Sequence, residues 1–258
     1  MIRVVVCGAL GKMGRTVVEE IAGDAGLALA GAIVAAGSAG LGTKLGGVEV
    51  TADLARALSG ADVLVDFTNP KGALEHIRQG VAAGTATVVG TTGFTADELA
   101  LAKEAAKRIP LIISPNMSSG VNLMFNVVEE VARALPDFDA EIVEIHHNKK
   151  KDAPSGTAAR LAEAIGRVRS TSLVAHGRHG IVGARKSEEI GMHSLRGGDV
   201  VGEHTVIFAG EGERFELTHR AHSRRTFARG TLRAIHFIHG KKPGLYTMAD
   251  VLGLSPHP

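Results

Sequence analysis

Residues 1–14 read MIRVVVCGALGKMG, and this stretch decides the fold of the first half of the chain. Ile2 to Cys7 is a short, nearly continuous apolar run ending in glycine, the pattern of a parallel strand buried on both faces. Gly8, Gly11 and Gly14 follow at GxxGxxG spacing, one glycine short of the usual GxGxxG. Lys12 to Ala22 then reads as a helix, with Met13, Val17 and Ile21 on one face. A glycine turn between strand and helix permits a tight bend and close packing. It also leaves backbone N–H groups at the helix start free to face a pyrophosphate.

Strand and helix continue to alternate outward from this turn. Leu27 to Ala36, Asp62 to Phe67, Thr85 to Val89 and Leu111 to Ile113 read as strands, and Gly37 to Gly47 as a glycine-rich loop. Lys71 to Ala83 and Thr95 to Lys107 read as helices. Alternation with short connections predicts a parallel, doubly wound sheet. Three further loops fall where such sheets place ligands, at the carboxyl ends of strands. They are Asp66-Phe67-Thr68, Gly90-Thr91-Thr92-Gly93 and Ser114-Pro115-Asn116-Met117. An acid that would hold the adenosine ribose belongs near the end of the second strand, but that region reads Ile33-Val34-Ala35-Ala36. Lys44 in the following loop is a candidate phosphate partner.

The pattern changes after Asn116. Ser119 to Leu135 and Thr157 to Arg169 read as helices, and Glu141 to Ile145, Gly191 to Leu195, Val200 to Phe208 and Arg214 to His219 as strands. Strands in succession without helices between them predict a mixed or antiparallel sheet, hence a second domain. Helices over Thr226 to Ile238 and Met248 to Leu254 are expected to fold back on the first domain. The expected division is 1–118, completed by 227–258, and 119–226.

Composition excludes several classes of function. The chain has 258 residues, 45% hydrophobic and 22% charged, an ordinary globular make-up. Its net charge of +2 gives no global drive toward nucleic acid. Cys7 is the one cysteine, so no internal disulfide and no CxxC metal site can form, and it reads as a packed core thiol. No stretch approaches the roughly 18 apolar residues that span a bilayer. The expectation is a soluble cytoplasmic protein without membrane partners.

The reacting chemistry is concentrated in His146 to Thr157, HHNKKKDAPSGT. His146 and His147 end a strand and so point to opposite sides. Zinc fits poorly, with no cysteine nearby and no HExxH spacing, and no metal is expected. Among Lys149, Lys150 and Lys151, an ammonium near an anionic substrate supplies charge neutralisation and a proton. Ser155 or Thr157 can cap the next helix, whose free N–H groups at Gly156 and Thr157 would attract a carboxylate. Such a set suits a small, strongly acidic substrate that needs a proton during reaction. His193, His204, His219 and His222 read as structural imidazoles. Arg224-Arg225 could bind an anion or serve a domain or subunit contact.

Here the sequence closely resembles the 4-hydroxy-tetrahydrodipicolinate reductase (dihydrodipicolinate reductase) family. GALGKMG, VDFTNP, VVGTTGF, SPNMSSGVN, EIHHNKKKDAPSGTA, GDVVGEHTVIFAGEGERFELTHRAHSR and TFARGTLRAI carry the resemblance in order along nearly the whole chain. The segment around HHxxKxDAPSGTA, with GEHTV and ELTHRA, is highly specific; the glycine motif is not.

The resemblance implies an α/β protein: a Rossmann-like doubly wound parallel sheet domain plus an α+β mixed-sheet domain for substrate and homotetramer formation. It implies hydride transfer from NADH or NADPH to a cyclic imine dicarboxylate, with loss of water, in lysine and diaminopimelate biosynthesis. By motif position His146 looks like the catalytic proton donor or acceptor and Lys150 like the proton donor. His147, Gly156 and Thr157 look like substrate contacts. Gly8, Ala9, Leu10, Gly11, Lys12, Met13, Gly90, Thr91, Thr92, Ser114, Pro115, Asn116 and Met117 look like cofactor contacts. Cofactor and substrate are expected to meet between two lobes, with Lys150 and His146 bordering the meeting place. Val34 and Ala35 depart from the acid and arginine that many members carry there, so weak cofactor discrimination is expected.

Three other readings make different demands. A homoserine or sugar dehydrogenase would not need the HHxxK…PSGT segment. A non-catalytic dinucleotide sensor would bind cofactor without substrate-dependent oxidation. A nucleic-acid role rests on the triple lysine alone and would show salt-sensitive retention on DNA.

Overall fold

The computed structural model describes residues 1–171 and 173–254; the last four residues of the expected 227–258 completion lie outside the described residues. Contacts divide the chain into a first unit, residues 1–119 with 224 onward, and a second, Gly120–Ser223.

In the first unit β1 (Ile2–Cys7) leads through the glycine turn into α1 (Lys12–Ala22) and back to β2 (Leu27–Ile33). Val4, Val5, Val6 and Cys7 are fully buried because β1 has a parallel neighbour on each side and both its faces are covered. β2 stops three residues before the expected Ala36. The chain turns there, with Ser38 N–H donating to the Ala35 carbonyl at 2.9 Å.

Within the expected loop lies a hairpin of β3 (Lys44–Leu45) and β4 (Val48–Thr51). Gly46 and Gly47 join them at φ +57° and +86°, the double positive φ that a two-residue hairpin turn requires. Then follow α2 (Leu54–Leu58), β5 (Val63–Asp66), α3 (Pro70–Ala83), β6 (Ala86–Val89), α4 (Ala96–Ala105) and β7 (Pro110–Ile113). Local chemistry sets the helix ends. Asn69 accepts from Gly72 N–H ahead of Pro70, Gly84 closes α3 in the left-handed region, and Thr95 with Glu98 forms a capping box on α4.

The second unit runs α5 (Ser119–Ala134), β8 (Asp139–His146), α6 (Gly156–Arg169), β9 (Val174–His176), β10 (Ile190–Arg196), β11 (Gly202–Gly210) and β12 (Glu213–Ala221). Its sheet order is β12-β11-β8-β10-β9. β8 pairs with β10 in parallel and with β11 in antiparallel register, so the sheet is mixed. Alternation decides its faces: Ala140, Ile142 and Glu144 are buried, while Glu141, Val143 and Ile145 are half-buried. Val121, Phe125 and Val128 of α5 and Leu161 and Ile165 of α6 share one core with Ala140 and Ile142. The chain between β9 and β10 is tied by Arg178 and Arg185 to Glu141, with Arg185 also reaching Asp139.

Returning to the first unit, α7 (Arg225–Ile238) packs against α1, and β13 (Gly244–Tyr246) adds a parallel strand beside β7. A Cβ on Gly230 would lie 1.7 Å from the Met117 carbonyl oxygen, so α7 rests directly on the backbone after β7. α8 (Met248–Val251) ends before the expected Leu254, since Gly253 has φ +67°. The completed sheet has order β13-β7-β6-β5-β1-β2-β4-β3, parallel except for β3 with β4. Its order reverses at β1, whose carboxyl end is therefore a topological switch point.

Candidate active site

The first unit collects the expected cofactor residues at one sheet end. Gly8 to Met13 form the turn after β1, Gly90 to Thr92 follow β6, and Ser114 to Met117 follow β7. Gly8 has φ +74°, and a Cβ there would lie 2.4 Å from the Phe67 carbonyl oxygen. On Gly14 it would lie 2.2 Å from the Gly8 oxygen, and on Gly90 2.1 Å from the Phe67 ring. These glycines are needed for three chain segments to close on one another. Gly11 caps α1 without any side-chain hydrogen bond, so the first-turn N–H groups carry no side-chain cap. Bare donors on a glycine turn fit the diphosphate of a dinucleotide.

Beneath this turn lies the first residue of the Asp66-Phe67-Thr68 loop, which sequence places at a strand's carboxyl end without giving its acid a role. Asp66, fully buried, accepts from Thr91 Oγ1 at 2.5 Å and from Thr68 N–H at 3.1 Å. His76 Nδ1 stands 2.6 Å from its other oxygen. The carboxylate thereby holds the β5 and β6 loops in register. A charged residue closing the apolar run Val63-Leu64-Val65 was the available signal. Cys7, Asp66 and His76 are grouped closely enough to suggest a metal. However, two ligands bound tetrahedrally to zinc at ~2.0 Å lie about 3.3 Å apart, so the 2.6 Å contact is a hydrogen bond instead. Lys44 stands opposite Glu49 on the hairpin.

The second unit builds the reacting end around β8. Glu144 and His146, two residues apart, share a face. Nδ1 of His146 lies 2.5 Å from Glu144 Oε2. Glu144 is fully buried and also accepts from Arg196 Nη1 at 2.8 Å and Nη2 at 2.9 Å, and from Ser155 N–H at 3.1 Å. Burial would push this carboxyl up, yet the hydrogen bonds from Arg196, His146 and Ser194 bring it down to about 2. Glu144 is therefore ionised, and Nδ1 of His146 must donate to it. Burial lowers the His146 pKa, the Glu144 contact partly restores it, and Lys150 and Arg196 lower it further. Its edge meets His204 at 5.2 Å between ring centroids. His204, read from sequence as structural, is held neutral with its pKa at about 3, first by burial and then by His146.

Lys150, mostly buried, donates from Nζ to both Asp152 oxygens at 2.9 and 2.8 Å. Lys149 and Lys151 are exposed. Of the two possible caps on α6, the structure uses Ser155, which accepts from Ala158 N–H at 3.2 Å and lies 3.0 Å from His204 Nε2. Gly156 follows, and a Cβ on it would meet nothing within 4 Å, so internal packing does not demand glycine there. His147 donates its backbone N–H to Val200, while its Nδ1 is buried without a partner among the described residues. His193 pairs with Glu141 at 2.8 Å, and Arg225 with Glu20. Sequence reading missed Glu144, Asp152 and Arg196. Strand alternation could have found Glu144; Arg196 is about fifty residues away and leaves no local trace.

Two family descriptions match this chain: Dihydrodipicolinate reductase, N-terminus, over residues 2–117, and Dihydrodipicolinate reductase, C-terminus, over residues 120–252. The chain belongs to the dihydrodipicolinate reductase family. A 4-hydroxy-tetrahydrodipicolinate reductase of Anaeromyxobacter dehalogenans is 53% identical over 98% of both chains. One of Geobacter metallireducens is 49% identical over 98% of this chain and all of its own. A dipicolinate-bound dihydrodipicolinate reductase from Paenisporosarcina sp. TG-14 is 28% identical, with TM-score 0.79 over 97% of this chain and 98% of its own. An amine dehydrogenase from Mycobacterium smegmatis, at 16% identity and TM-score 0.59 over 96% of this chain and 95% of its own, shares the fold alone. The reductase family thus accounts for both units, and the chain is an oxidoreductase with a pyridine-nucleotide-binding Rossmann domain. No helix among the described residues is long and apolar enough to cross a membrane.

Proposed function

We propose that this chain reduces 4-hydroxy-tetrahydrodipicolinate to tetrahydrodipicolinate with NADH or NADPH and loss of water, in lysine and diaminopimelate biosynthesis. The observation that carries the reading is the convergence on β8 of a neutral imidazole, a lysine ammonium and the N-terminus of α6. A nicotinamide cofactor bound on the glycine turn supplies hydride. Hydride arrival leaves negative charge on the substrate nitrogen or enamine carbon, and Lys150 Nζ donates the proton that quenches it. His146 borders the reacting atoms. Gly156 and Thr157 N–H groups, with His147, hold a carboxylate at the positive end of α6. Gly8 to Met13, Gly90 to Thr92 and Ser114 to Met117 contact the cofactor.

The end of β2 carries no carboxylate that could grip the adenosine ribose or repel a 2′-phosphate. Val34 is half-buried and Ala35 exposed. The reading is acceptance of both nicotinamides with less than about tenfold discrimination, under ~1.4 kcal/mol. The test couples a dihydrodipicolinate synthase reaction to this protein and follows absorbance loss with each nicotinamide in turn. Oxidation that depends on the synthase product supports the reading; oxidation that is absent with both cofactors overturns it.

The same reading takes the protein as a cytoplasmic homotetramer with no nucleic-acid or membrane partner. Support for assembly comes from the second sheet, whose face opposite α5 and α6 carries Val143, Ile145, Leu195 and Ile207. Ile181 is fully exposed and Val182 largely so. An apolar sheet face turned away from its own core is the kind of surface that association covers. Sedimentation at four chain masses, falling to one in an Ile145→Glu variant, is the expected result.

A further inference from the structure

We infer that Glu144 is the positioning residue of this site: it sets which nitrogen of His146 carries the proton, and it ties that ring to the segments bearing Lys150 and the carboxylate-binding turn. The inference rests on the proposed function for its kinetic consequence, though not for its structural one.

Arg196, Ser155 and His146 place four donor groups around the one buried carboxylate, and Ser194 adds another. Oε1 accepts from Arg196 Nη2 and from Ser155 N–H, at 2.9 and 3.1 Å. Oε2 accepts from Arg196 Nη1 and from His146 Nδ1, at 2.8 and 2.5 Å. Ser155 is the cap of α6, so Glu144 grips the helix start that would receive a substrate carboxylate. Arg196 Nη2 also donates to the Asp152 carbonyl at 2.6 Å, and the Asp152 side chain holds Lys150. One carboxylate therefore links β8, β10, the lysine loop and α6.

Consider next what His146 can do in this setting. Its charged and titratable neighbours are Glu144 on its own strand, Lys150 on the following loop, Arg196 on β10 and His204 on β11, and Asp152 holds that lysine. With Nδ1–H pledged to an ionised carboxylate, a neutral ring presents Nε2 as a lone pair. Its role at neutral pH is then to accept a hydrogen bond, which leaves proton donation to Lys150. A carboxylate behind an imidazole commonly fixes its tautomer and orientation in this way.

Glu144→Gln tests this because the geometry dictates how the amide must lie. Two fixed donors, Arg196 Nη2 and Ser155 N–H, claim the carbonyl oxygen at the Oε1 position. The NH2 group then falls at the Oε2 position, where it gives up the Arg196 Nη1 contact and faces His146 Nδ1; the reverse placement would set it against two donors that cannot change, Arg196 Nη2 and Ser155 N–H. The imidazole can answer only by exchanging tautomer, placing its proton on Nε2. Replacing an orienting carboxylate by its amide is known to disable an imidazole through the wrong tautomer while leaving geometry intact.

The experiment records long-range proton–nitrogen NMR spectra of the full-length chain labelled at histidine, alongside steady-state kinetics. Expected are Nδ1–H in the unaltered protein and Nε2–H in Glu144→Gln. The variant's kcat should fall by about 10²–10⁴-fold with the KM for NADPH within about threefold. A purely structural lesion would not invert a tautomer while sparing cofactor affinity. Observing Nε2–H or a doubly protonated ring in the unaltered protein at pH 7 overturns the inference, and this arm needs no variant to fold. Unchanged turnover in Glu144→Gln overturns it too. Loss of the proposed reductase activity in the unaltered protein would count against the function and leave the tautomer result standing.

Discussion

Gly202 and His146 are in direct opposition: a Cβ on Gly202 would lie 2.9 Å from the imidazole Nε2. The ring cannot retreat freely, because its Nδ1 is held by Glu144 at 2.5 Å. Gly202→Ala is therefore expected to rotate or displace the ring and lower kcat by about 10- to 100-fold, since misplacements of this size matter at a reacting centre. Cofactor KM should stay within about threefold. Turnover equal to the parent protein would show that Nε2 has no part in the reaction.

Lys150 is the one lysine of its run that is mostly buried and held in place, whereas Lys149 and Lys151 face solvent. Lys150→Ala should reduce kcat by about 10²–10⁴-fold, the usual contribution of a placed proton donor. The same change at Lys149 or Lys151 should alter kcat by less than about threefold. Steady-state kinetics on the three variants separates proton delivery from general electrostatics.

Acid should unfold the second unit in a predictable order. His204 has a folded pKa of about 3, below its unfolded value, so the fold favours its neutral form. Its contribution is complete above about 6.5 and is lost as pH falls from there toward 3, at up to about 1.4 kcal/mol per pH unit. Glu144, depressed to about 2, follows the same sign at lower pH, with its loss beginning near 4.3. Urea unfolding at pH 7, 6 and 5 should show stability declining, and His204→Gln should flatten that decline. Equal slopes for parent and variant would contradict the burial argument.

At the cofactor end, Val34→Asp places a carboxylate where β2 stops. It should weaken NADPH use relative to NADH by at least about tenfold, because a carboxylate can bond a ribose hydroxyl and repels a 2′-phosphate. The ratio of kcat/KM for the two nicotinamides measures it directly.

Much of this architecture was legible in residue order. Ile2 to Cys7 and Lys12 to Ala22 coincide with β1 and α1, because a fully buried strand and an amphipathic helix each have a strong period. What escaped was short or non-local. The β3–β4 hairpin hides inside a glycine-rich run, and β13 depends on pairing with β7 across more than a hundred residues. The same division holds at the site. His146 and Lys150 are announced by their neighbours in sequence, whereas Arg196 reaches Glu144 only because β10 lies beside β8.

Cys7, fully buried at the end of the central strand, has one more consequence. Burial, reinforced by Asp66, raises its pKa well above the ordinary thiol range, so it is neither ionised nor accessible in the folded chain. It is also the single sulfhydryl of the sequence. Alkylation of this protein is thus a clock for opening of the parallel sheet: at maleimide concentrations where capture outpaces reclosing, the chain is modified at the rate at which its innermost strand comes free.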